Sequence, residues 1–156
     1  MRIVIGAVGR LKTGPEKTLV DEYLDRFTRT GRPLALGPVD VRDVDERKAT
    51  TPEAHAAVLE KLVTQTGRVV ALDERGSTWS SRTFAVKLAS WRDAGQQEVV
   101  FLIGGADGLH PGLRDQAQVR LSLGQMVWPH MLARVMLAEQ LYRASTILAG
   151  TPYHRD

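Results

Sequence analysis

Apolar residues fall along this chain in short unbroken runs separated by stretches of helical spacing. Ile3-Val4-Ile5, Val69-Val70-Ala71-Leu72 and Val99-Val100-Phe101-Leu102-Ile103 are continuous and rich in β-branched side chains. Such runs predict strands whose sheet carries helices on both faces. Pro33 to Val41 reads as a weaker strand. A first helix opens near Pro15, where a missing N–H costs nothing, and carries the stripe Leu19, Val20, Tyr23, Leu24 and Phe27, with Arg26 and Arg29 toward its C-terminal end. A second opens at Thr51-Pro52, presents Val58, Leu59, Leu62 and Val63, and stops at Gly67. A third opens at Ser80 or Ser81 and runs through Phe84, Leu88 and Trp91 to Gly95. Strands alternating with helices predict an α/β fold with a mainly parallel sheet flanked by helices.

The last helix, from about Pro129 to Leu148, differs from the others. Leu132, Val135, Met136, Leu137, Leu141, Tyr142, Ile147 and Leu148 leave it apolar on nearly every side, so it is expected to be buried all round. A helix lying on a sheet has solvent behind it, so the second apolar face predicts cover from another copy of the chain and hence a homodimer. Arg42 to Thr51 is charged and aperiodic and reads as a surface loop. No repeat or low-complexity tract divides the sequence, and a length of 156 residues predicts a single domain over 1–156.

Composition narrows the function. The chain holds no cysteine, which excludes a disulfide framework and any thiolate chemistry. The apolar start MRIVIGAVGR leads into a charged helix and reads as a strand, not a secretory signal. Arg134, Glu139 and Arg143 interrupt the most apolar segment, so no membrane span is expected, and the cytoplasm is the expected location. A net charge of +3 gives a mild attraction to polyanions, too small to signal nucleic-acid binding alone.

Open α/β sheets bind ligands at the C-terminal ends of their strands. Three loops lie there: Asp73 to Gly76, Gly104 to Pro111 and Gly124 to Pro129. The glycines of Gly104-Gly105-Ala106-Asp107-Gly108 let backbone approach a flat ligand, and equally suit a tight turn. Neither the dinucleotide spacing G-x-G-x-x-G nor a phosphate-loop motif is present. The tail presents an aromatic, an imidazole and a guanidinium in Tyr153-His154-Arg155. Those groups suit base stacking, proton transfer and phosphate contact, although chain termini are often inert. Glu139 and Arg143 are four apart on the apolar last helix, which reads as an ordered interface or active-site pair. Trp91 fits a core stripe, Trp79 a loop, and His130 a cap or core position. No metal-ligand spacing occurs, and no metal is expected.

Taken in order, Val8-Gly9-Arg10-Leu11-Lys12, Glu22-Tyr23-Leu24, Leu102 to Leu109, Leu121-Ser122-Leu123, Trp128-Pro129-His130, Arg134-Val135, Glu139 to Ala144 and Tyr153-His154-Arg155 resemble the ribosomal large-subunit methyltransferase H family of the SPOUT class, over the whole chain. The resemblance implies a parallel sheet flanked by helices with a C-terminal trefoil knot, and a homodimer. It also implies methyl transfer from S-adenosyl-L-methionine to N3 of a pseudouridine in 23S rRNA of the assembled ribosome. By position it assigns the cofactor to Leu72, Gly104, Gly105, Gly124, Gln125, Met126, Val127, Trp128 and Pro129. Relatives often carry hydroxyl side chains at the positions of Gly124 and Val127 and glutamine at Met131, so backbone contacts are the ones implied there. The catalytic candidates are His154 for the N3 proton, Tyr153 to stack on the base, Arg155 to grip a phosphate, and Glu139 and Arg143 to brace the tail. Rival readings are a SPOUT enzyme acting on transfer RNA, a non-catalytic ribosome-associated factor, and a Rossmann-type nucleotide-binding module.

Overall fold

The computed structural model describes residues 1–64 and 67–155. Its strands are β1 (Arg2–Val8), β2 (Val39–Val44), β3 (Arg68–Thr78), β4 (Glu98–Ile103) and β5 (Val119–Ser122). Its helices are α1 (Pro15–Gly31), α2 (Pro52–Glu60), α3 (Ser81–Asp93), α4 (Pro111–Gln116) and α5 (His130–Ala149). The strands form one sheet in the order β2-β1-β4-β3-β5, and every pairing is parallel. The continuous apolar runs are continuous because each face of the sheet has its own core. Ile3, Ile5, Ala7, Val99, Phe101 and Ile103 face Phe27 of α1, Phe84 and Leu88 of α3, and Leu137 and Leu141 of α5. The alternate residues Val4, Val8, Val100 and Leu102 face Leu59 of α2 and Leu113 of α4. Each fully buried Val, Ile, Leu or Phe side chain among them contributes about 1.5–3 kcal/mol by leaving water.

Local chemistry fixes the helix ends. The Thr51 hydroxyl accepts from the Ala54 N–H at 3.2 Å and the Ser80 hydroxyl from the Thr83 N–H at 3.1 Å, each satisfying a donor that the first turn leaves over. Gly150 closes α5 in the left-handed conformation.

Several boundaries depart from the sequence reading. Pro33 lies in a 3-10 turn (Arg32–Leu34), and the second strand begins later, at Val39. It thereby takes Arg42 to Val44 out of the expected loop. As an edge strand β2 tolerates charge: Asp40 bonds Arg2 at 2.9 Å and Arg42 at 2.6 Å. Burial pushes the Asp40 carboxyl up, but those two arginines outweigh it and hold it below the usual range. α2 ends at Glu60, short of Gly67, and residues 65 and 66 on the path to that expected stop lie outside the described residues. β5 and α4, with 4 and 6 residues, are too short to show in the pattern. Asp73 to Gly76, expected as a loop, belong to β3, which bulges there: β3 pairs with Leu121 at Leu72 and again at Ser77. A Cβ on Gly76 would stand 2.6 Å from the Arg120 carbonyl, so only glycine lets the strand rejoin.

α5 spans its expected range, and α1 and α3 both pack on it. Much of its second apolar face is therefore covered within the chain. Leu132 stays 40% exposed, beside Met126 at 71% and Val127 at 78%. Among the described residues no helix is long and apolar enough to cross a membrane.

Candidate active site

The three strand-end segments meet in one cleft of about 290 Å³. Leu72 and the β3 bulge supply one part of the lining, Ile103 to Leu109 the second, and Leu121 to Gly124 with Met126, Val127 and Trp128 the third; His130 and Ala133 line it from the start of α5. Of the residues expected to hold a cofactor, Leu72, Gly104, Gly105, Gly124, Met126, Val127 and Trp128 line it, whereas Gln125 and Pro129 do not. Two local devices shape it. The Gly105 carbonyl accepts from the Gly108 N–H at 3.0 Å, folding the glycine loop back until a Cβ on Gly104 would be 2.2 Å from the Gly108 carbonyl carbon. The buried Ser122 hydroxyl donates to the Gly124 carbonyl at 2.8 Å and accepts from the Gly124 N–H at 3.2 Å, pinning the third segment. Asp73 and Arg114 pair at 3.6 Å on the rim.

The tail residues form a second assembly. Glu139 Oε1 accepts from Arg143 Nε at 2.9 Å, from Arg143 Nη2 at 2.5 Å and from the Tyr153 hydroxyl at 3.1 Å. The Arg143 guanidinium lies 4.8 Å from the Tyr153 ring centre and donates to His154 Nδ1 at 3.2 Å. Tyr153 also packs on Tyr142 with centroids 4.6 Å apart. Burial first, and then the Glu139 charge, push the Tyr153 phenol above its usual range, so it is a hydrogen-bond donor and not a base. The hydrogen bonds to Glu139 raise Arg143 in turn. Four of the five catalytic candidates thus come together, while Arg155 is exposed.

Within one chain these two assemblies stand apart. None of the tail residues lines the cleft. α5 has His130 at the cleft and Arg143 further along, a separation of about 20 Å at 1.5 Å per residue.

Two site residues escaped the sequence reading of roles. His130 lines the cleft, and its Nε2 is buried without a hydrogen-bond partner among the described residues. Arg134, one turn later, is 0% exposed. It donates to Asp43 Oδ1 at 2.8 Å and to the carbonyls of Val8 and Gly9 at 3.1 and 2.8 Å. Burial lowers its pKa and the Asp43 charge offsets part of that. The Asp43 carboxylate also accepts from the Leu11 N–H at 3.2 Å, so the clamp fixes the loop carrying Arg10 and Lys12. The Trp-Pro-His and Arg-Val blocks of the sequence were the available signal. Trp91 is buried as expected, with Trp79 against it at 6.3 Å. Among the described residues no group of three or more His, Asp or Glu could hold a metal ion.

Comparison with known proteins gives the chain's family. A family model described as "Predicted SPOUT methyltransferase" matches residues 1–154. The chain is 60% identical over 155 residues to a protein of Dinoroseobacter shibae, with 99% of each chain covered. It is 59% identical to one of Cereibacter sphaeroides, again with 99% of each covered, and 54% identical over all of both chains to one of Paracoccus denitrificans. Each of these relatives is called "Ribosomal RNA large subunit methyltransferase H".

Proposed function

The chain belongs to the SPOUT methyltransferase family, and from that premise we propose that it methylates N3 of a pseudouridine in 23S ribosomal RNA with S-adenosyl-L-methionine as donor. It acts in the cytoplasm on the assembled ribosome, as a homodimer with the C-terminal trefoil knot of its class. The observation that carries this reading is the convergence of three strand-end segments on one cleft. The residues fit the donor. Leu72, Ile103 and Leu121 supply apolar walls for an adenine ring, and Gly104 lets the Gly108–Leu109 backbone fold tightly against it to shape the second wall.

When bound, S-adenosylmethionine supplies a sulfonium methyl that is already electrophilic. The protein's work is orientation, exclusion of water and custody of one proton: N3 gains the methyl and releases its imide hydrogen. His154 is the acceptor for that hydrogen. A guanidinium only donates, so His154 Nδ1 accepts from Arg143 and its lone pair is engaged there. The imidazole therefore becomes a base when Arg143 releases Nδ1, and an RNA phosphate is the competing partner for that guanidinium. Tyr153 offers its face to the base, and Arg155, exposed at the end, takes a phosphate.

Separation of cleft and tail along α5 supports the dimer. A second copy that carries its tail to this cleft completes the site, and the exposed Met126, Val127 and Leu132 supply an apolar seam for it. The test incubates the purified chain with labelled S-adenosylmethionine and, separately, free 23S RNA, large subunits, whole ribosomes lacking the modification, and transfer RNA. Labelling of whole ribosomes at the pseudouridine is expected; labelling of transfer RNA instead, or of nothing, overturns the reading.

A further inference from the structure

Two loops at the C-terminal ends of β1 and β2 carry four exposed cations, Arg10 and Lys12 on the first, Arg47 and Lys48 on the second. They lie alongside the cleft. A Cβ on Gly9 would stand 3.0 Å from Nε2 of His130, which lines that cleft, and 3.3 Å from Oε2 of Glu46. Oε1 of Glu46 would be 3.8 Å from a Cβ on Gly105, in the glycine loop of the cleft. We propose that this basic ledge docks the phosphate backbone of the substrate RNA and holds the strand beside the cleft while the target base enters the site. The inference rests on the methyltransferase reading and adds where the RNA is gripped.

The whole chain carries a net charge of only +3, so attraction to a polyanion has to come from local clustering of cations. Around the ledge the carboxylates are spent on holding backbone. Asp43 accepts from the buried Arg134 at 2.8 Å and from the N–H of Leu11, between Arg10 and Lys12, at 3.2 Å. Asp45 Oδ1 accepts from the Arg47 N–H at 3.1 Å. The Asp45 carbonyl accepts from the N–H groups of Lys48 and Ala49 at 2.9 and 3.0 Å, closing the turn that presents Arg47 and Lys48. Arg10 meets Asp45 only at 3.5 Å and keeps 59% of its side chain exposed. Such a surface pair is weak, and a phosphate replaces the carboxylate as a stronger, charge-assisted partner. Cations on a backbone already fixed lose less freedom on binding than cations on a loose loop. Phosphate contacts set the position of a nucleic acid without reading its sequence, which is the task of a surface beside a reacting centre.

Three variants test the dock. Arg10→Ala combined with Lys12→Ala removes two cations, and Arg10→Lys combined with Lys12→Arg keeps their charge. Both are compared with the parent chain by calorimetric titration with S-adenosylmethionine and by kinetics on unmodified ribosomes over a range of salt. In the alanine chain donor affinity and kcat are expected within about 3-fold of the parent, with kcat/KM about 10- to 100-fold lower through KM. The slope of log kcat/KM against log salt is expected to become shallower by about 0.7–0.9 for each cation removed, and the charge-conserving chain to stay within about 3-fold of the parent. An unaltered salt slope, an unaltered kcat/KM, or a charge-conserving chain as impaired as the alanine one overturns the dock. Lost donor affinity in the alanine chain overturns it in favour of a structural role for the loop. Because the chain has no cysteine, Thr13→Cys places a single photoreactive label beside Lys12. Crosslinks to 23S RNA are expected, and crosslinks to ribosomal protein alone overturn the choice of RNA as the partner. A parent chain that binds donor but methylates no ribosome overturns the enzyme reading itself.

Discussion

The cleft and the tail cluster are built by opposite means. The cleft is backbone at strand ends, and what it requires of Gly104 is the lack of a side chain. The cluster is side chain throughout: one carboxylate gathers a guanidinium and a phenol, and the guanidinium reaches an imidazole. Strand ends are held by the sheet and both cores, so the cleft is formed before any ligand arrives. The cluster hangs on one helix face and a short tail, and in the proposed reaction its hydrogen bonds are exchanged for bonds to RNA. With the cleft as the proposed donor site and the tail as the proposed acceptor site, this division suits a reaction whose cofactor stays constant while its macromolecular substrate must dock and leave.

Substitutions that strike one region and spare the other sharpen this division. His154→Ala is expected to lower transfer by about 10²–10⁴-fold, the usual reach of a positioned base, with donor affinity unchanged by calorimetry. Unchanged turnover removes His154 from the proton's path. Gly104→Ala is the converse. Its Cβ would stand 2.2 Å from the Gly108 backbone, and the forced shift costs about 1–3 kcal/mol, read as roughly a 10- to 100-fold loss of donor affinity in a chain whose circular dichroism is retained. Glu139→Gln keeps the shape but removes the charge at 17% exposure. It is expected to lower transfer about 10-fold, and stability by about 1–3 kcal/mol in urea unfolding, from weakened charged hydrogen bonds. The smallest effect belongs to Tyr153. Because burial and Glu139 hold its phenol above the ordinary value of 10, the protonated form dominates below that pH and is lost only above it. The pH profile of transfer should therefore show no descending limb from Tyr153 between about pH 8 and 10, and Tyr153→Phe should leave its shape unaltered.

The strand-end segments were legible because glycine and proline mark where apolar runs stop, and a parallel sheet brings such ends to one edge. The cleft wall from Leu72 to Trp128 followed from that, together with the family resemblance. Gln125 and Pro129 came with the third loop and the family resemblance and do not line the cleft. β2 was bounded too early because its second half carries Arg42 and Asp43, which periodicity reads as loop. The apolar girth of α5 was read as cover from a second copy, and α1 and α3 supply part of that cover. Arg134 was invisible as a buried clamp because its partner Asp43 is 91 positions away, and no local pattern reports a pairing across the fold.

That clamp also sets an order of events in synthesis. The carbonyls of Val8 and Gly9 receive their guanidinium from a residue 126 and 125 positions downstream. A nascent chain with its first strand already outside the exit tunnel still lacks the group that finishes the strand's end. Closing so long a loop is slow relative to local helix formation. The end of the first strand is thus completed only by a contact made across the fold, once Arg134 has been synthesised and can fold back onto it.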